Sequence, residues 1–284
     1  MTAPIRHISD TALWVAMYRA FESERPDALF RDPYARRLAG ERGEAIVRSL
    51  PRGHSLAWPM IVRTAVMDEI IIRCIGEGVR TVINLAAGLD TRAYRLSLPP
   101  SLRWFDVDLP DMIAYRREHL EDARTICIHE DLEADLAVPE ARAAVLARAE
   151  GGERPAMVIT EGLLIYLTAE QVSAIARQIY QQREARWWLI DLATPLLLQI
   201  LSRTWQPHLA AASSPMQFAP AEGTAFFAPL GWREAEFRST WDESLRLGRS
   251  VRLARLWHWL AWLRPKVVRE AYRRMSGIVL LERS

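Results

Sequence analysis

The apolar positions change their period along this chain, and the changes mark out its elements. From Thr11 to Leu50 the pattern is helical, polar and arginine-rich, with breaks at Pro26 and Pro33. A more apolar helix is predicted from Pro59 to Ile75, opened by a proline suited to a first turn and stopped at Gly76 and Gly78. Short apolar runs follow at Val79 to Leu85, Leu102 to Val107, Arg124 to His129, Ala156 to Thr160 and Trp187 to Ile190. Between them lie helical stretches from Pro110 to about Glu121, from Pro139 to Ala149, and from a Thr168 cap to about Gln182. Short strands alternating with helices predict βαβ units, hence a Rossmann-like α/β fold with a mostly parallel sheet and helices on both faces. Beyond Asp191 the rhythm loosens. Pro195 to Pro220 is irregularly helical, a strand candidate lies near Glu234 to Arg238, Gly248 to Met275 is helical with a break at Pro265, and Gly277 to Arg283 reads as a last strand. The expectation is one domain over 1–284. It would comprise N-terminal helices (1–78), a sheet core (79–192), a helical cap with a sixth strand (193–276) and the last strand (277–284).

Composition narrows the class. The chain has 284 residues, half of them hydrophobic, enough for one large α/β domain. A formal net charge of +2 gives no global attraction to nucleic acid or to a membrane, and a small-molecule partner is expected instead. The basic residues are almost all arginine, with Lys266 the one lysine. Cys74 and Cys127 sit inside apolar runs and read as buried thiols, not as a disulfide framework or a metal site. The stretch Met1 to Trp14 lacks the apolar core of a signal peptide, and no segment has the length of an uncharged membrane span, so a cytoplasmic location is expected.

The chemistry should lie outside the carboxyl ends of the strands, where open α/β sheets bind ligands. At or just past those ends the sequence places an acid five times: Asp90, Asp108, Asp131, Glu161 and Asp191. Each alone could merely cap the next helix. Five on one edge need hydroxyls, amines or a cation to satisfy them. S-adenosylmethionine offers all three, as a ribose diol, an ammonium and a sulfonium. Competing nucleotides fit less well. A dinucleotide calls for G-x-G-x-x-G, whereas the first loop reads Ala86-Ala87-Gly88-Leu89-Asp90 and carries an acid that would repel phosphate. A P-loop needs a lysine that the chain has only at Lys266. Gly53-His54-Ser55-Leu56-Ala57 approaches the nucleophile elbow of hydrolases, but no strand precedes it and its last glycine is alanine. Glu161 and Asp191 could hold Mg²⁺, yet Leu192 follows where a second oxygen ligand would be useful, and the histidines lack ligand spacing, so no metal is expected.

Three segments sharpen this reading: Ile83-Asn-Leu-Ala-Ala-Gly-Leu-Asp-Thr-Arg-Ala-Tyr-Arg-Leu96, Phe105-Asp-Val-Asp-Leu-Pro110 and Thr160-Glu-Gly-Leu-Leu-Ile-Tyr-Leu167. Together with Phe30-Arg-Asp-Pro-Tyr34 they resemble the leucine carboxyl methyltransferase family, which includes bacterial O-methyltransferases of polyketide pathways. The resemblance runs from about Thr11 to Asp191 and implies a class I methyltransferase using S-adenosylmethionine. Residue by residue, it implies that Gly88 lies against the cofactor, Asp108 binds the ribose hydroxyls, Asp131 and Leu132 flank the adenine, and Glu161 sits near the methionyl end. It implies that Arg63 pairs with the cofactor carboxylate, and an arginine inside an apolar helix needs such a partner. Arg19 is a second candidate for that carboxylate. Ala86 stands where the family usually has glycine. The implied activity is methylation of a carboxyl or hydroxyl oxygen of a small molecule such as a polyketide-like metabolite. The alternatives are a protein C-terminus as acceptor, or a cofactor-binding protein without transfer activity. A carboxylate acceptor would need no general base and a phenol would benefit from one; the sequence singles out none. The arginine- and tryptophan-rich run from Arg252 to Arg264 reads as a cap helix rather than a membrane-surface helix.

Overall fold

The computed structural model describes residues 9–49, 57–149, 155–209, 215–251, 254, 258–259 and 265–284. The elbow-like Gly53 to Leu56 and most of the tryptophan-rich run lie outside them. Helices α1 (Ser9–Ser23), α2 (Ala35–Ser49) and α3 (Trp58–Gly76) precede the sheet. The sheet is built from β1 (Thr81–Leu85), β2 (Arg103–Asp108), β3 (Ile128–Glu133), β4 (Ala156–Thr160), β5 (Ala185–Ala193), β6 (Trp232–Ser239) and β7 (Ser276–Arg283). Its order is β3-β2-β1-β4-β5-β7-β6. The first five strands run parallel, and β7 lies antiparallel between β5 and β6. This is the Rossmann-like sheet expected from the alternating pattern.

The connecting helices cover both faces. On one face, α3 packs Val66, Ile70 and Cys74 with Val82, Trp104, Met157 and Leu189. On the other, α4 (Pro139–Ala149) and α5 (Ala169–Gln181) pack Val145, Leu146, Ile175 and Ile179 with Ile83, Leu85, Phe105 and Ile190. Successive strand residues thus go to opposite faces, both buried, which is why the central strands read as mostly apolar runs. Cys74 and Cys127 are buried free thiols, each pushed up to about 11 by burial.

Among the boundaries that differ from the sequence pattern, those of β3 and β5 shape the crevice. The run Arg124 to His129 is not the third strand, which starts four residues later at Ile128 and ends at Glu133. As an edge strand β3 is exposed at Ile128, and Ile126 before it is exposed too, so the apolar run marks no buried element. The fifth strand is longer than its apolar centre, because its far end pairs with β7 through Ala193↔Ser276.

Strand order reverses at β1, whose neighbours β2 and β4 carry the chain to opposite sides. The loops after β1 and β4 therefore diverge and leave a crevice at the carboxyl ends. Helices α1 and α2 pack against each other and against the start of α3 over that end, with Leu13, Met17, Leu38, Ile46 and Ile61 sharing a buried cluster with Leu89. Among the described residues no helix is long and apolar enough to cross a membrane.

Candidate functional site

A cavity of about 670 Å³ opens at the crevice. It is lined from the ends of all five parallel strands: Ala86 to Asp90, Asp108 and Leu109, Ala134 to Ala137, Glu161 to Leu163, and Asp191 to Ala193. Helix α1 contributes Thr11, Ala12, Trp14, Val15 and Arg19, and α3 contributes Trp58 to Met60, Arg63 and Thr64.

The loop after β1 turns with Ala86 and Gly88 in the left-handed region, at φ 55° and 53°. Gly88 donates its N–H to Asp108 Oδ2 at 2.7 Å, while Asp108 Oδ1 accepts from the Leu109 N–H at 2.7 Å. A Cβ on Gly88 would lie 3.4 Å from Ala12 Cβ, so the loop passes directly beneath α1. Burial raises the Asp108 carboxyl above its ordinary value, and the two backbone donors only partly offset this. Two backbone donors leave lone pairs on both oxygens, so the carboxylate can still accept from a ligand hydroxyl.

Across the crevice, Arg92 ties the loops after β1 and β4 together. Its Nη1 donates to Asp90 Oδ2 and Glu161 Oε2, both at 2.7 Å, and its Nε donates to Asp68 of α3 at 2.6 Å. Arg63 lies beside it. Its Nη1 donates to Asp191 Oδ2 at 2.9 Å, and Nε is 2.9 Å from Glu161 Oε1 without hydrogen-bond alignment. That Nε is buried and has no hydrogen-bond partner among the described residues. Asp191 Oδ1 accepts the Gly162 N–H at 2.7 Å. Gly162 has φ 65°, and a Cβ there would sit 3.2 Å from Arg63 Nη1, so glycine keeps the arginine in place. Burial opposes charge on Glu161, but Arg92 and Arg63 overcome it and hold the carboxyl at about 2. Tyr166 also lines the cavity, and burial raises its phenol.

The structure brings Arg63, Gly88, Asp108 and Glu161 to this one cavity, along with Asp90 and Asp191. It does not bring Asp131 and Leu132 there. Because β3 runs to Glu133, both lie within the strand, where Asp131 pairs with Asp106 and Leu132 with Val107. Asp131 faces Arg116 Nη2 and His129 Nε2, each 3.7 Å away, and Leu132 packs into the core on the other face. The cavity wall at this strand is Ala134 to Ala137, so Asp135-Leu136 replaces Asp131-Leu132 at the strand end. Two Asp-Leu pairs lie four residues apart here, and the second, hidden from the sequence by the misplaced strand, is the one that lines the cavity. Arg19 lines the cavity, but its Nε donates to Asp32 at 2.9 Å and its Nη2 to the Leu89 carbonyl at 2.5 Å.

Sequence reasoning also missed what lies beneath the loop. Fully buried Arg116 donates to the Gly88 carbonyl at 3.1 Å and to Asp106 Oδ2 at 2.5 Å, and His129 Nε2 is 2.9 Å from the same oxygen. Asp106, His129 and Asp131 bring potential ligand atoms within 4.8 Å of one another, but the guanidinium already supplies the positive charge there. Arg92 and Asp68 were missed as well. Their signal was the acid in the middle of an apolar helix, which needs a buried cation.

A buried arginine with an unpartnered donor, a carboxylate at the β2 end and a close backbone turn form a site suited to a zwitterionic nucleoside without phosphates. The comparisons with known proteins agree. The family model described as leucine carboxyl methyltransferase matches residues 12–180. The chain is 31% identical over 254 residues to a Streptomyces coelicolor protein named "Putative S-adenosyl-L-methionine-dependent methyltransferase", covering 85% of this chain and 88% of that one. Among solved structures it resembles a "putative methyltransferase" from Thermobifida fusca, with TM-score 0.60, 17% identity and coverage of 100% of this chain and 97% of that one. A DUF574-family protein from Streptomyces avermitilis superposes with TM-score 0.59 at 16% identity, covering 95% of this chain and 97% of that chain.

Proposed function

The chain belongs to the leucine carboxyl methyltransferase family, a family of S-adenosylmethionine-dependent methyltransferases, and from that premise we propose that it methylates an oxygen, carboxyl or hydroxyl, of a small apolar molecule. The observation that carries the reading is that Arg63, Gly88, Asp108 and Glu161 converge on one cavity whose lining also includes apolar side chains such as Ile165, Leu201, Met216 and Phe218. In this reading Asp108 accepts from the ribose hydroxyls, and the Ala86 to Gly88 backbone lies against the cofactor. Arg63 gives its unpartnered Nε to the carboxylate. Glu161 faces the methionyl end, and Asp135 with Leu136, in place of Asp131 and Leu132, borders the adenine. The bound cofactor would supply an electrophilic methyl group on a sulfonium. The residues of the chain contribute position and exclusion of water, which dominate catalysis of an in-line displacement. Ion pairs from Arg92 to Asp90 and Glu161 hold the two crevice loops at a fixed separation. Helix α1 roofs the cavity and shields the reacting groups. Enclosure by α1 and by apolar walls favours a small acceptor over a protein C-terminus.

Isothermal calorimetry tests the cofactor half. S-adenosylhomocysteine should bind with one-to-one stoichiometry and raise the melting temperature, as any native-state ligand does, whereas NADH should do neither. Release of S-adenosylhomocysteine from S-adenosylmethionine in the presence of small apolar acceptors tests transfer. An intact protein that binds the cofactor but methylates nothing across carboxyl and hydroxyl panels would be a pseudoenzyme.

A further inference from the structure

The cavity is lined, beside the charged residues and a few hydroxyl side chains, by Trp58, Ile165, Leu201, Met216, Phe218 and Trp241. Four arginines also line the cavity, and each already has a carboxylate. Arg19 is paired with Asp32, Arg63 with Asp191, Arg92 with Asp68, Asp90 and Glu161, and Arg95 with Asp68. Among these, Arg63 Nε and Arg95 Nε are buried without a hydrogen-bond partner among the described residues; the first is assigned above to the cofactor carboxylate, and the second belongs to a guanidinium whose Nη1 and Nη2 are both bonded to Asp68. An acceptor carboxylate would therefore enter an apolar chamber next to Asp191 and Glu161 with no cation among the described residues to meet it. Burying such a charge unpaired is costly.

A neutral hydroxyl meets the opposite situation. Asp191 stands near the β5 end, bonded to Arg63, with Leu192 and Ala193 of the same strand lining the cavity beside it. Its two oxygens accept one bond each, from Gly162 and Arg63, and its side chain keeps 26% of its exposure, so lone pairs remain available toward the cavity. We propose that the acceptor is an apolar aromatic molecule bearing a hydroxyl rather than a carboxylate, and that Asp191 is the catalytic residue that takes the hydroxyl proton. This rests on the methyltransferase reading above. In the step, the O–H bond breaks and its proton passes to the Asp191 carboxylate as the acceptor oxygen bonds to the methyl carbon. The bond from that carbon to sulfur breaks, and its electron pair stays on sulfur, leaving a neutral thioether and a methyl ether. Asp191 then releases the proton to solvent. A phenol, with a pKa of about 10, is largely protonated at neutral pH and needs such a partner.

Matched acceptors make the test. Naphthol and naphthoate differ chiefly in the group presented, and their binding can be measured by calorimetry on the complex with S-adenosylhomocysteine, independently of turnover. The wild-type complex should bind naphthol at least about tenfold more tightly than naphthoate, the size expected for losing a hydrogen bond and leaving a charge unpaired. Asp191→Asn should bring the two affinities to within about threefold and slow naphthol methylation by at least about 100-fold, the usual scale of general-base catalysis. Binding of S-adenosylhomocysteine by the variant shows that it is folded. Naphthoate binding as tight as naphthol in the wild type, an unchanged preference in folded Asp191→Asn, or binding of neither compound would overturn the proposal. Failure of the wild type to bind S-adenosylhomocysteine is a separate result, and it removes the methyltransferase reading itself.

Discussion

Arg63 has more donors than the protein uses. Its Nη1 is committed to Asp191, while its Nε is buried beside Glu161 with no aligned acceptor among the described residues. Burial opposes its charge, but Glu161 and Asp191 outweigh that effect and keep the guanidinium protonated. If the cofactor carboxylate takes up the spare donor, Arg63→Ala should weaken S-adenosylhomocysteine binding by about 1.5–3 kcal/mol, the range for hydrogen bonds to charged groups. Methylthioadenosine, which lacks the carboxylate, should lose far less, and Arg63→Lys should fall between, because an ammonium cannot reproduce the guanidinium fork. Equal losses by calorimetry for both ligands would assign Arg63 a purely structural role. Ala86 gives a second prediction. An alanine at φ 55° is strained by roughly 1–2 kcal/mol. Glycine there removes the strain but adds about 0.4–1 kcal/mol of unfolded-state entropy. Ala86→Gly should therefore leave the urea midpoint unchanged or raise it slightly, and a clear fall would mean that the methyl packs favourably.

At the level of elements, the cavity depends on α1 staying in place, and a chain-distant arginine holds it there. Arg249 donates Nε and Nη2 to fully buried Glu22 near the end of α1, at 2.9 and 2.8 Å, and Nη2 also reaches the Asp27 carbonyl at 2.5 Å. Breaking a buried pair from one side strands a charge and costs about 3–5 kcal/mol. Arg249→Met should therefore lower stability by that order in urea titrations, and Glu22→Gln added to it should recover part of the loss; additive losses would count against a coupled pair. None of this was legible in the sequence, since Glu22 and Arg249 are 227 residues apart and lie in segments with no distinctive pattern. The parallel core was legible because both of its faces are buried, so β1, β2 and β4 appear as mostly apolar runs, interrupted only by Asn84 in β1 and Asp106 in β2. Strand β3 was not, because an edge strand exposes one side and Ile126 and Ile128 are apolar without being buried. The same difference explains the site. Acids at the ends of β2, β4 and β5 could be counted forward from clear strands, while Asp135 was hidden behind a misplaced one. Buried partners such as Arg92–Asp68 and Arg116–Asp106 depend on tertiary contacts that spacing does not reveal.

On the scale of the whole molecule, stability and ligand binding meet in the charge of the crevice. Glu161 titrates at about 2 in the folded protein against an ordinary 4.5, because Arg92 and Arg63 outweigh its burial. Asp32 and Asp106 are also lowered, whereas burial raises Asp108 and Asp131. The signs follow from linkage. A carboxyl with a depressed folded pKa adds stability that is complete above its unfolded value and is lost as pH falls toward the folded one. For Glu161 that window runs from about 4.5 down to about 2, and its shift corresponds to about 3 kcal/mol as an order of magnitude. Asp108 and Asp131 act in reverse. Their contribution is present below the unfolded value and is lost as pH rises through their raised folded values, so at neutral pH both charges oppose folding, that of Asp108 at the crevice and that of Asp131 within β3. Glu161→Gln should accordingly lower stability at pH 7 by up to about 3 kcal/mol, while its difference from the wild type should shrink steadily between pH 5 and pH 2. Urea midpoints at pH 7, 4 and 2.5 measure both effects. Curves for the two proteins that stay parallel across that range would mean that Glu161 is not the carboxylate stabilised by the two arginines, and the junction between the β1 and β4 loops would then have to be held by Asp90 and Asp191.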